Sequence, residues 1–123
     1  MDASRIISEA DGFADLGLPL EAWELLETLP PADRMQPAVF AVRLKVCTAL
    51  EKWELGMELV RLIGPENEYA HRQPAGRFHL ARACDLCGAG DVEGARAAVS
   101  ALSKVWPVGR LLVLVEIRLA ALW

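Results

Sequence analysis

Histidine, cysteine and tyrosine are scarce in this 123-residue chain, which holds two histidines, three cysteines and one tyrosine. Each scarcity removes a class of chemistry. His71 and His79 are the only histidines, and neither stands at a spacing from Ser or Asp that suggests a catalytic triad. Cys84 and Cys87 form a CxxC, which sets two thiols on one helical face. A zinc site needs four ligands, however, and there is no second CxxC or HxxxH. The pair is therefore read as small core side chains, with metal or thiol chemistry as the alternative. Three cysteines, an odd number lying in helical patterns, suit reduced thiols better than a disulfide framework. No glycine-rich phosphate loop follows a strand, and no metalloprotease or kinase pattern is present. The chain is expected not to be an enzyme and to use no cofactor or metal.

Positive charge is also short. The net charge of -4 argues against a general affinity for nucleic acid, because neutralising phosphates needs clustered Lys and Arg. Through Arg34, eight acidic residues face only Arg5 and Arg34, a balance of -6 that leaves +2 for the rest of the chain. The opening MDASRIISEADGF has neither a basic leader nor an apolar run of signal-peptide length, so a cytoplasmic protein is expected. Apolar residues make up 54 % of the chain, above the usual share for a soluble domain, so this length has to enclose one well-filled core.

What the chain does have is internal repetition. Ala10, Phe13, Gly17, Ala22, Leu26 and Leu29 find equivalents 34 positions later at Leu44, Cys47, Glu51, Gly56, Val60 and Ile63. A third set follows 39 further on, at Ala83, Leu86, Gly90, Ala95, Val99 and Leu102. A period of this size marks one supersecondary unit stacked on copies of itself. Within each copy, apolar residues recur at helical spacing on both sides of a turn. Gly17, the Glu51-Lys52 pair and Gly88-Ala89-Gly90 mark the turns, Pro19 and Pro37 suit first helical turns, and Pro30-Pro31 and Gly64-Pro65 close second helices. The spacing predicts a fifth helix from about Pro74 to Cys87, with Asp91 as the N-cap of a sixth. The five extra residues of the third copy fall within Glu66 to Pro74, where a longer connection is expected.

The pairing of small and large residues in the first helix, a Gly turn, a small residue in the second helix and a Pro after it resembles the tetratricopeptide repeat (TPR) over about residues 3–107. The resemblance implies an all-α, right-handed α–α superhelix in a single domain. Its repeats span about 3–36, 37–73 and 74–107, and a terminal helix occupies 108–123. Such proteins hold a peptide or protein segment against a concave wall built from the first helix of each pair. By alignment that wall includes Ile7, Asp11, Ala41, Lys45, Thr48, Arg77, Leu80 and Cys84. It is mostly small and apolar, with Lys45 and Arg77 as charged points, so an apolar ligand with an acidic residue is expected. The paired Lys and Asn that clamp a terminal carboxylate in chaperone-binding members are absent.

From Leu111 to Trp123 only Glu116 and Arg118 are polar, too few for the polar outer face of a capping helix. The run is also too short to span a bilayer. Leu111, Leu112, Leu114, Val115, Leu119, Leu122 and Trp123 are therefore predicted to form a self-association face, most simply of a homodimer, with folding back over the chain's own repeats as the alternative. Trp23, Trp53, Trp106 and Trp123 read as core or interface anchors. The expected role is a small adaptor for protein or peptide partners, with no nucleic acid and no membrane. A secretion-type TPR chaperone and a purely structural oligomerisation unit are the alternatives.

Overall fold

Why the chain forms helical hairpins is visible at their turns. The computed structural model describes residues 2–116, 118 and 119. Those residues are all-helical: α1 (Ala3–Asp15), α2 (Pro19–Glu27), α3 (Pro37–Leu50), α4 (Trp53–Val60), α5 (Tyr69–Gly88), α6 (Val92–Val105) and α7 (Arg110–Val115), with 3-10 turns at Asp33–Met35 and Pro107–Gly109. No strand occurs among them.

The first helix of each pair ends in the same way. The N–H groups of Leu18, Lys52 and Asp91 donate to the carbonyls of Phe13, Cys47 and Leu86, each at 2.9 Å. The residue before each donor is left-handed, with φ of 79° at Gly17, 55° at Glu51 and 85° at Gly90. This is the Schellman closure, which satisfies carbonyls left over at a helix end and turns the chain back. The second helices then begin alike. Ala22, Gly56 and Ala95 donate to the carbonyls of Leu18, Lys52 and Asp91, and all three are buried. Pro19 and Pro37 occupy first turns, where a missing N–H costs nothing. Asp91 Oδ1 accepts from Gly94 N–H at 2.8 Å, the predicted cap. α2 and α4 both tighten at the end: Thr28 and Leu29, and 34 residues later Leu62 and Ile63, bond to carbonyls three residues back.

The chain divides into two compact units, Met1–Ile63 and Gly64–Trp123, at the Gly64-Pro65 stop. In the first, α1 packs on α2 and α3, and α3 packs on α4. Ile6, Ile7, Ala10, Ala22, Leu26, Leu29, Val39, Val42 and Val46 make its core. In the second, α5 packs on α6, while α7 and the turn before it lie against α6. Ala83, Cys84, Ala98, Leu102, Val113 and Leu119 form one core cluster there. Trp106 fills a slot in the same unit. A Cβ on Gly76 would stand 2.5 Å from its Cε3 atom, and one on Gly109 would overlap the same ring.

Two predicted boundaries shift. α5 begins at Tyr69 rather than near Pro74, because the polar stretch before the proline winds into the helix. Pro74 then sits inside it, with no N–H to give the Ala70 carbonyl. The terminal helix predicted over 108–123 is shorter: α7 ends at Val115, and Glu116 is extended at φ -85°, ψ 108°.

Candidate functional site

The polar centre of the first unit is a three-residue charge cluster between α1 and α3. Asp11 and Asp15 lie one turn apart on α1 and so project from one face. Lys45 of α3 reaches both, with Nζ 2.7 Å from Asp11 Oδ1 and 2.9 Å from Asp15 Oδ1. Partial burial acts to lower the Lys45 pKa, but the hydrogen bonds it donates to Asp11 and Asp15, with the negative charge of both, outweigh it and hold the ammonium above its usual 10.5. The sequence places Lys45 as a free cation for an acidic ligand. In the structure it already has two carboxylates, so the cluster carries one net negative charge. Around it, Ile7 and Ala41 are buried, and the Thr48 hydroxyl donates to the Leu44 carbonyl at 2.9 Å. Of the five predicted wall residues in this unit, Asp11, Lys45 and Thr48 are partly exposed.

In the second unit the predicted wall divides. Arg77 is exposed, and its guanidinium carbon lies 5.4 Å from the centre of the Trp106 ring. Leu80 is partly buried against the core. Cys84 is buried in that core beside Val113 and Leu119, which removes it from any ligand-facing surface. Its thiol is pushed up, first by burial and then by the nearby Glu116 carboxylate. Cys87 Sγ donates to the Arg118 carbonyl at 3.0 Å. Cys47, buried in the first unit, is pushed up to about 11 by burial, so it stays a thiol at neutral pH. Among the described residues, no three His, Cys, Asp or Glu side chains group as metal ligands.

His79 is buried, and its Nδ1 has no hydrogen-bond partner among the described residues. Burial, and then the positive charge of Arg82, lower its pKa to about 4. It is neutral at ordinary pH, as befits a packing residue.

The terminal segment separates the seven predicted self-association residues. Leu111, Leu114 and Val115 are exposed at 65, 47 and 75 %, Val108 adds a fourth exposed aliphatic side chain, and Leu112 is partly buried. Leu119 is instead fully buried in its own unit, against Ala83, Cys84, Ala98 and Leu102 of α5 and α6. Leu122 and Trp123 lie outside the described residues. No helix among the described residues is long and apolar enough to cross a membrane.

One network escaped the sequence reading. Arg43, only 8 % exposed, stacks 4.1 Å over the Trp23 ring and donates to Glu27 Oε1 at 3.2 Å. Arg34 holds the other oxygen of Glu27 at 3.1 Å and gives its Nε–H to the Leu29 carbonyl at 2.8 Å. A buried guanidinium needs such partners. Trp23 and Glu27 share one face of α2 by their i,i+4 spacing, but no spacing joins either of them to Arg34 or Arg43.

No family model, curated protein or solved structure matches this chain. The functional reading therefore rests on its own geometry.

Proposed function

We propose that the chain is a small protein-interaction module of the TPR-like superhelical class, which binds protein or peptide partners and self-associates through the outer face of α7. The single observation that carries this reading is the set of exposed side chains Val108, Leu111, Leu114 and Val115. Residues 111, 114 and 115 share one helical face. Leaving a large aliphatic side chain in water forgoes about 1.5–3 kcal/mol relative to burial, and a cluster of them marks an interaction surface. Three hairpins closed in the same way support a repeat scaffold, and scaffolds of that kind act by presenting surfaces. The burial of Ile7, Ala41 and Cys84 favours the α7 face over the predicted wall as the main contact. Three free cysteines are consistent with a cytoplasmic setting.

Light scattering behind size exclusion tests the reading. The chain is expected to run as a dimer at tens of micromolar, and Leu111→Glu with Val115→Glu is expected to give a folded monomer. A monomeric parent chain overturns self-association through α7.

A further inference from the structure

Two N–H groups of the second unit, Trp106 Nε1 and Arg72 Nε, are buried with no acceptor among the described residues, and Trp106 is 4 % exposed. The two belong to one patch. The Tyr69 ring meets the Trp106 ring edge-on at 6.5 Å, and the Arg72 guanidinium carbon stands 5.9 Å from the centre of the Tyr69 ring. Arg77 lies over Trp106 from the same helix, α5.

The charges are also unbalanced. Arg5, Arg34, Arg43, Lys45, Arg61, Arg96 and Arg118 each have a carboxylate within ion-pair distance, whereas among the described residues Arg72, Arg77 and Arg82 of α5 have none, nor do Lys52 and Lys104. A buried donor without an acceptor is costly, and a half-buried guanidinium without a counter-charge more so. A run of carboxylates supplies an acceptor for each N–H and a counter-charge for each guanidinium.

We infer that the patch of Tyr69, Arg72, Arg77 and Trp106 receives side-chain carboxylates of an acidic polypeptide segment. This rests on the reading of the chain as a protein-interaction module and specifies the chemistry of its partner. A planar carboxylate matches the guanidinium fork. The two guanidiniums lie against different rings, Arg72 on Tyr69 and Arg77 on Trp106, so they are spread along the face. A run of carboxylates on one chain engages both, where a compact anion engages one. Tyr69 is half exposed and Arg77 exposed, so the rim of the patch is open to solvent.

The test is a proton–nitrogen correlation spectrum of the 15N-labelled full chain. The Trp106 indole signal is assigned by its loss in Trp106→Phe, or by through-bond experiments if that variant does not fold. Hexaglutamate is expected to move this signal downfield and saturably, while hexaglutamine leaves it in place. Arg72→Gln and Arg77→Gln are each expected to weaken hexaglutamate binding about tenfold or more, the effect of losing a charged hydrogen bond. Lys104→Gln is expected to leave it unchanged. An unmoved signal overturns the inference, and so does a response to inorganic phosphate as strong as that to the peptide. Light scattering on the same samples reports α7 self-association separately, so failure at this patch is not mistaken for failure of the module reading.

Discussion

Lys45 Nζ lies 2.7 Å from Asp11 Oδ1, and the two residues hold the same position in successive helix pairs, 34 residues apart. Repetition alone would set like against like at such a position. Opposite charges there instead tie α1 to α3, and Asp15, one turn along α1, doubles the tie. The equivalent position of the third copy is Cys84, which is buried. One repeat position thus serves as an ion pair in the first unit and as core in the second.

Replacing Lys45 with Met should lower stability by about 0.5–1 kcal/mol, the range for partly exposed pairs. It also leaves Asp11 and Asp15 one turn apart with no cation between them. A double-mutant cycle with Asp11→Asn, followed by urea denaturation, is expected to give a coupling energy of similar size. That coupling should shrink toward ~1 M salt, where the screening length falls to ~3 Å. A cycle that closes with no coupling would mean that the pair is geometric only.

Glu51 is the one non-glycine residue with a positive φ among the described residues. Its φ of 55° matches Gly17 and Gly90 at the equivalent turns, but it carries a Cβ in a left-handed conformation. Glu51→Gly is therefore expected to stabilise the chain by about 0.5–1 kcal/mol, since glycine adopts this region without steric cost. Gly17→Ala and Gly90→Ala should destabilise it by about 1 kcal/mol each, although neither glycine has a neighbour that an added Cβ would meet. Thermal or urea melts of the three variants check the signs.

The turns were legible in the sequence because their chemistry is local. Gly17, Gly90, Pro19, Pro37 and Asp91 each act within a few residues and stand where their conformational preference puts them, while Glu51 makes the same turn against its own preference. The buried equivalents Ala22, Gly56 and Ala95 were legible because a period is a pattern in one dimension. The charge partners were not. Whether Lys45 meets a ligand or Asp11 depends on how α1 packs on α3, and the meeting of Arg43 with Trp23 and Glu27 depends on a rotamer and a crossing that no spacing encodes. The terminal run misled for a related reason: composition indicates that apolar residues must be covered, but not that Leu119 turns back into its own unit while Leu111 and Val115 stay outside.

His79 makes stability depend on pH with a definite sign. Its folded pKa is lowered from 6.5 to about 4, first by burial and then by Arg82, so as pH falls the unfolded chain takes up the proton before the folded one does. The stabilising contribution is complete above pH 6.5, is lost progressively as pH falls toward 4, and changes no further below that. A shift of this size corresponds to about 3 kcal/mol in total, of which about 2 kcal/mol is lost between about pH 7 and about pH 5. His79→Leu keeps an apolar side chain in the same packed position and removes the proton site. Urea denaturation of the parent and variant across this range should show the parent losing about 2 kcal/mol more than the variant between about pH 7 and about pH 5. Two parallel profiles would show that the imidazole is hydrated in the folded chain and titrates near its ordinary value.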